Sequence, residues 1–587
     1  MTGAAARLHG FDRVVRVVFV AALLAVPVMR ASAQDNAATS RFDDDGIPAQ
    51  SLIGQQLQAG KIDYDTSLVY RAYALFGDAR LPAAIAESGD VAEDNAFFGE
   101  VRANWPRLSD QTRQLLTPFI VRPTDTRSVF FQPGGGAAEA ATADQGDAKP
   151  AFAGGDCSDN WAANTSAKFP FKVWVHCTGD YDADLDAAIA MIEDFWAREV
   201  DMMGPPVLDT GSAEQGGDTS IDFYFVEDES DRVDRGGGDY IQKEALAHAA
   251  PDDPVNDNKA SCHVVARRSY IGKPDQTLVL AHEFYHCLQD AHNWQIGFGF
   301  KSTPYNQDFE QLSYSEFWFV EATATWVMSY LYRDTIDPAV MQNLVHYRFV
   351  KYFQGADAPL YQSPAQWMAG FDHMYAAYIY FMFLEQEVGA DGIGQMWKNL
   401  ENVKADDFTG TTEIIDEILP FKEHFRDFAV RNLNLDLEPG DPISPSYKDL
   451  DPTFPEGFAP PFQAGPGKTS RTDVVVTRGE PLVFGDAIPS LTAHYYDFST
   501  TRPVKQMTLD FTGIAADGAV DVDMIAKIRG KNWERRQLST DAPITFCFNK
   551  EADAVSLFYL VVSNHDLNED NTARGSFTVA ASDADCT

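Results

Sequence analysis

The spacing of apolar positions changes several times along the chain, and each change marks a unit. Between Ser51 and Val121 they recur at helical intervals, in runs such as Thr66–Phe76 (TSLVYRAYALF) and Gln111–Leu116. This predicts a helical N-terminal region spanning 34–132. From 133 to 156 the chain is Gly/Ala/Asp-rich, a composition that cannot bury a core and reads as a linker. A third unit, 157–437, opens with strand patterns at Phe169–Val175 (FPFKVWV) and Ile221–Val226 (IDFYFV), with an amphipathic helix over Asp182–Met203 between them. Another strand is expected near Cys262–Ser269, and helical patterns then dominate to about Leu437. A sheet followed by helices predicts an α+β unit. Eight prolines between Pro439 and Pro466 interrupt any regular element, so 438–470 reads as a second linker. Beyond it, Asp473–Thr477, Met507–Phe511 and Val555–Ser563 are strand-like runs separated by turns. They predict a C-terminal antiparallel β-sandwich over 471–587.

Charge narrows the classes of partner. The 587 residues carry 87 Asp and Glu against 46 Lys and Arg, a formal charge of −41. Such a field repels nucleic acid and anionic membranes, which argues against a nucleic-acid or lipid-surface role. The N-terminus has the features of an export signal. Arg7, His9, Arg13 and Arg16 precede the apolar run Val17–Val28, and Ala31-Ser32-Ala33 offers a small-residue cleavage site. That run is too short for a useful membrane span and no second candidate follows it. A secreted protein beginning near Gln34 is expected, and the helical region after it reads equally as a removable propeptide or a permanent accessory domain. Six cysteines in an exported chain suggest disulfides, and proximity pairs Cys157 with Cys177, Cys262 with Cys287, and Cys547 with Cys586.

The chemistry concentrates in Thr277–Asp290 (TLVLAHEFYHCLQD). Residues four apart share a helical face, so His282 and His286 can grip one metal ion together. Leu278, Ala281, Tyr285 and Leu288 form an apolar face that can pack on the preceding sheet. Imidazole nitrogens suit Zn2+, and a catalytic zinc site needs three protein ligands and one open position. Glu283, beside the first histidine, is placed to take a proton from a water that the metal acidifies.

Two residues compete for the third ligand position. His292 completes the spacing HExxHxxQxxH, the metzincin pattern with Gln289 where that pattern has glycine. On an unbroken helix His292 falls on nearly the opposite face from His286, and Gln289 resists the left-handed turn that glycine allows. Glu321 lies in Ser315–Met328 (SEFWFVEATATWVM), which reads as a second buried helix. Its small residues Ala322–Thr325 permit close helix approach, and a carboxylate buried among aromatic residues calls for a cation. Glu321 is favoured, and Glu316 is expected to face solvent. Asp290 is read either as orienting a ligand imidazole or as a solvated helix-end acid. Phe371–Val388 reads as a third helix. From it His373, Tyr375 or Tyr378 could donate to a developing oxyanion, with Tyr375 preferred. Cys287 points away from His286, towards a structural disulfide.

HEFYH followed one helix later by E-A-T-A-T-W resembles the gluzincin metallopeptidases, in which two histidines and a downstream glutamate bind zinc. The second motif is similar to that of secreted bacterial proteins classed as metalloproteases. The resemblance covers chiefly residues 260–390, and the NExxxD form of the second helix is absent here. It implies a zincin-like catalytic domain with His282, His286 and Glu321 as zinc ligands and Glu283 as base, acting on protein or peptide substrates. The alternative is an extracellular binding or adhesion protein with a structural zinc, for which a fourth side chain such as His292 would have to join the site.

Overall fold

A computed structural model of the chain describes residues 49–86, 96–131, 161–177, 180–226, 247–254, 258–296, 316–354, 360, 371–403, 410–433, 446–454, 471–476, 481–500, 505–514, 519–528, 533–548, 555–568 and 572–584. The expected export signal, the 133–156 linker, Cys157 and Cys586 lie outside the described residues.

Five helices open the chain: α1 (Ala49–Gln58), α2 (Tyr64–Leu75), α3 (Ala83–Ala86), α4 (Ala96–Asn104) and α5 (Asp110–Ile120). Asp63 and Ser109 cap α2 and α5 by accepting the N–H of Thr66 and Thr112. These helices cover one face of a five-stranded sheet, ordered β1 (Trp161–Thr165), β2 (Phe171–His176), β3 (Ile221–Val226), β5 (Ala260–Arg267), β4 (Ala247–Pro254). The inner strands β2, β3 and β5 run parallel, and both edge strands, β1 and β4, are antiparallel to their neighbours.

Alternation along the strands builds the layers. Val173, Val175, Phe223, Phe225, Val264 and Ala266 join the core beneath the metal-site helices. The intervening Trp174, Tyr224, Val226 and Val265 join Leu68, Phe76, Phe97 and Phe119 of the N-terminal helices. All six residues of β3 are buried for this reason.

The N-terminal layer is also fastened by charge. Arg122, just beyond α5, reaches Asp209, Asp222 and Asp252, the first at 2.8 Å. All four side chains are buried. Trp174 Nε1 and the Tyr224 hydroxyl donate to Asp222 at 2.8 and 3.0 Å, and His263 Nδ1 lies 3.1 Å from Asp252 Oδ1. Gly216, at φ +76°, runs so close to Asp222 that a Cβ there would collide with its carboxylate.

On the other face lie α6 (Tyr181–Met203) and α7 (Pro274–Asn293). Behind them come α8 (Phe317–Tyr332), α9 (Pro338–Met341), α10 (Tyr347–Gln354), α11 (Phe371–Ala376), α12 (Tyr378–Leu400), α13 (Thr411–Ile418) and α14 (Phe421–Arg431). The single helix expected over Phe371–Val388 is two, parted at Ala377, and α12 itself breaks at Gly389 with φ 76°. Glu316 corrects a second expectation. It does not face solvent: it is buried, and its Oε2 accepts the Thr411 N–H at 2.8 Å, at the first residue of α13. An unpaired donor at a helix start explains why a carboxylate is buried there.

The proline-rich stretch is not spacer throughout. Within it α15 (Tyr447–Leu450) carries a capping box at Ser446, and Tyr447 and Phe454 enter the helical core. The Tyr447 hydroxyl donates to Asn432 Oδ1 at 2.6 Å, and Asp451 lies 3.1 Å from His346.

The C-terminal strands are β6 (Arg471–Val476), β7 (Leu482–Ile488), β8 (Thr492–Thr500), β9 (Gln506–Asp510), β10 (Val520–Ile528), β11 (Trp533–Leu538), β12 (Ile544–Cys547), β13 (Val555–Asn564) and β14 (Ala573–Ser582). They form two sheets, β11-β10-β13-β8-β6 and β12-β9-β14-β7, antiparallel except for the β6–β8 pair. Met524 and Leu560 of one sheet share a core with Leu509 and Val579 of the other. The sandwich is tied to α14 by Tyr495, whose hydroxyl donates to Ala429 O at 3.0 Å, and by Arg426 on Asp523 at 2.8 Å.

Cys262 of β5 and Cys287 of α7 form the expected disulfide, with Cα atoms 5.4 Å apart. Cys177 and Cys547 are also disulfide-bonded. No helix among the described residues is long and apolar enough to cross a membrane.

Candidate metal centre

Helix α7 begins with Pro274 at its first turn and runs without a break to Asn293. Its 3.6-residue repeat therefore sets His282, His286 and Asp290 in one row along the helix. Helix α8 packs across α7, and every residue from Phe317 to Ser329 is buried. The run Ala322-Thr323-Ala324-Thr325 keeps bulky side chains out of this region of α8, and Glu321, 0% exposed, comes to the two histidines.

His282 Nε2 lies 3.2 Å from Glu321 Oε2 and 3.1 Å from His286 Nε2, and His286 Nε2 lies 3.7 Å from the same carboxylate oxygen. A tetrahedral site with bonds of about 2.0–2.1 Å has ligand–ligand edges of roughly 3.3–3.4 Å. The triangle of donor atoms thus has the size that a small divalent ion requires. Burial lowers the His282 pKa to about 3, helped by the positive charge of Arg348. Burial likewise lowers that of His286 to about 4, against the pull of Glu321. Both imidazoles are neutral at neutral pH and present lone pairs. Two neutral imidazoles and one carboxylate are a donor set that fits Zn2+.

The surroundings fix these side chains. Gln289 Oε1 accepts from His286 Nδ1 at 2.7 Å, which puts the proton on Nδ1 and leaves the Nε2 lone pair facing the centre. Gln289 Nε2 donates to Val320 O at 3.0 Å and Thr323 Oγ1 at 2.9 Å, both on α8. Glu283 turns to the sheet side, where its Oε2 accepts the Ala249 N–H of edge strand β4 at 2.8 Å.

The remaining candidates separate clearly. His292 is not brought to the cluster: its Nε2 lies 2.8 Å from Met203 O and its Nδ1 2.9 Å from Glu401 Oε1. Because α7 continues to Asn293, the turn that would swing His292 back does not occur. Asp290 is not the residue that orients His286, since Gln289 holds that nitrogen; nor is it solvated, being 9% exposed. Tyr378 is engaged by His346, with its hydroxyl 3.0 Å from Nδ1, and His373 stacks on Tyr352 at 4.8 Å. Tyr375 is the aromatic residue of that group whose ring lies beside His282, with centroids 6.1 Å apart.

Sequence reasoning missed three contributors. Gln289 was visible only as a misfit for a glycine, although three residues after His286 is the position of a neighbouring turn. Arg348 of α10 lies 4.5 Å over the Tyr375 ring and 3.3 Å from Thr325 Oγ1, and no motif marks it. Strand β4, which delivers the Ala249 N–H, has no alternating pattern.

Beside the cluster opens a narrow cleft, lined among others by Ala249, His286, Asp290, Trp294, Phe317 and Trp397. No curated protein matches the chain. Residues 269–517, which hold all three converging donors and the first strands of the sandwich, match DUF6055, a family of unknown function.

Proposed function

We propose that the protein is a secreted zinc metallopeptidase of gluzincin type, in which His282, His286 and Glu321 hold the ion and Glu283 is the general base. The observation that carries this reading is the convergence of two neutral imidazoles on α7 with the fully buried Glu321 of α8, at separations of 3.1–3.7 Å. A bound Zn2+ would supply an acidified water and polarise a substrate carbonyl.

The chain's own residues account for the other parts. Glu283 takes the proton of the attacking water and returns it to the leaving amine, and the Ala249 N–H holds one oxygen of its carboxylate in place. Gln289 holds His286 in the tautomer that leaves Nε2 available. Tyr375, on the His282 side, stabilises the oxyanion, with Arg348 adding positive charge behind its ring. Strand β4 borders the cleft as an edge strand through Ala249 and Pro251.

The test is casein hydrolysis with metal analysis. Glu283→Gln is expected to keep one zinc per chain and to lose hydrolysis by about a thousandfold or more, and His286→Ala to lose the metal as well. Casein cleavage by Glu283→Gln at the unmodified rate would remove the reading.

A further inference from the structure

We propose that the cleft beside the metal centre is a subsite for a lysine or arginine side chain, with Asp290 as its counter-ion; that the side chain belongs to a peptide substrate rests on the peptidase reading above. Asp290 follows His282 and His286 in the same row of α7, so its carboxylate lies about one helical turn, roughly 6 Å, beyond His286. It lines the cleft and is 9% exposed, and among the described residues no donor or cation reaches it. A carboxyl that is nine-tenths buried without a partner is costly to keep, whereas Glu283, Glu321 and Glu316 each have one. Glu283 has the Ala249 N–H, Glu321 faces two imidazoles, and Glu316 has Thr411. Burial, with a smaller contribution from Asp252, raises the Asp290 pKa well above the usual carboxylate range, so the acid is held neutral until a cation beside it stabilises the carboxylate and its proton passes to solvent.

The walls fit the same occupant. Trp294, Phe317 and Trp397 flank the cleft and can cover the alkyl stem of a long side chain, while their rings favour a cation. A neutral side chain would leave the acid unpaired, and an acidic one would set a second carboxyl against it. The net charge of −41 draws basic peptides towards the protein from a distance.

Three capped tripeptides test this: acetyl-Ala-Arg-Ala-amide, its norleucine counterpart and its glutamate counterpart. Each is titrated by calorimetry into full-length, zinc-loaded Glu283→Gln protein. The arginine peptide is expected to bind about tenfold or more tightly than the norleucine peptide, and the glutamate peptide most weakly. In a Glu283→Gln, Asp290→Asn protein the arginine advantage is expected to fall below about twofold while norleucine binding holds. Equal binding of arginine and norleucine peptides, or an advantage that survives Asp290→Asn, overturns the proposal. The first of these comparisons needs no change at Asp290, so a misfolded variant does not shelter the idea. Digestion of casein by the unmodified protein separates the two readings. Cleavage without preference for Lys or Arg, alongside equal peptide binding, sinks the subsite and leaves the peptidase. An arginine advantage in binding with no cleavage of casein does the reverse.

Discussion

Gln289 Oε1 accepts from His286 Nδ1 at 2.7 Å while the other end of the same amide donates to Val320 O and Thr323 Oγ1. One side chain therefore sets the tautomer of a proposed ligand and clamps its helix to the helix that carries Glu321. Replacing it with Leu removes both functions without a large change in volume. Gln289→Leu is expected to weaken zinc binding by about 10–100-fold. Competition against a chromophoric chelator measures this, and unchanged affinity would show that Gln289 only packs.

The separation of Glu321 from His292 gives a paired expectation. Glu321→Gln should lose stoichiometric zinc at micromolar metal. His292→Ala should keep it and lower only stability, by about 1–3 kcal/mol for its contacts with Met203 and Glu401. Zinc content after gel filtration, set beside melting temperature, reads both. Loss of zinc from the His292 protein would restore that residue as a ligand.

What could be read from the sequence was whatever rests on local period. HExxH is a statement about helical spacing, and β3 was found at its observed bounds because IDFYFV is apolar enough for burial on two faces. The Cys262–Cys287 pair was reachable because its partners are close in sequence. What escaped depends on distant neighbours. Strand β4 reads AHAAPDDP, with two prolines and two acids, and it pairs only because β5 offers it an edge. Glu316 passed for a solvated acid because the helix start it satisfies lies far along the chain. The layer formed by α1–α5 was evident as helices but not as the cover of a sheet, since the residues it covers, Trp174 and Tyr224, look like any strand interior.

Arg122 makes that layer testable. Arg122→Met leaves three carboxylates buried without their cation and should cost about 3–5 kcal/mol. With a protease site engineered into the 133–156 stretch, the cut parent is expected to elute as one species, and the cut Arg122→Met protein to release its N-terminal fragment. Release from the parent under native conditions would show the layer to be a dissociable propeptide.

The same cluster predicts a pH dependence. Burial pushes the Asp209 carboxyl up to about 7 and that of Asp222 to about 6, with Arg122 only partly offsetting it. The folded state thus holds protons that the unfolded chain releases above about pH 4. Their stabilising contribution is complete below that pH and is lost as pH rises through about 6 to 7. Asp209→Asn cannot ionise, so its melting temperature should gain on the parent by about 2 °C or more between pH 5 and pH 8. The buried His248, lowered to about 3, has the opposite sign but is common to both proteins. A constant difference across that range would mean that Asp209 is already ionised in the fold.

Cys262 sits opposite Pro251 in the β4–β5 ladder, and its sulfur is bonded to the residue that follows His286. The two rims of the cleft, β4 above and α7 below, are therefore joined through β5 by a covalent link as well as by hydrogen bonds. The bond fixes α7 to β5, and with it the position of His286 relative to the sheet, even where the hydrogen bonds between β4 and β5 open.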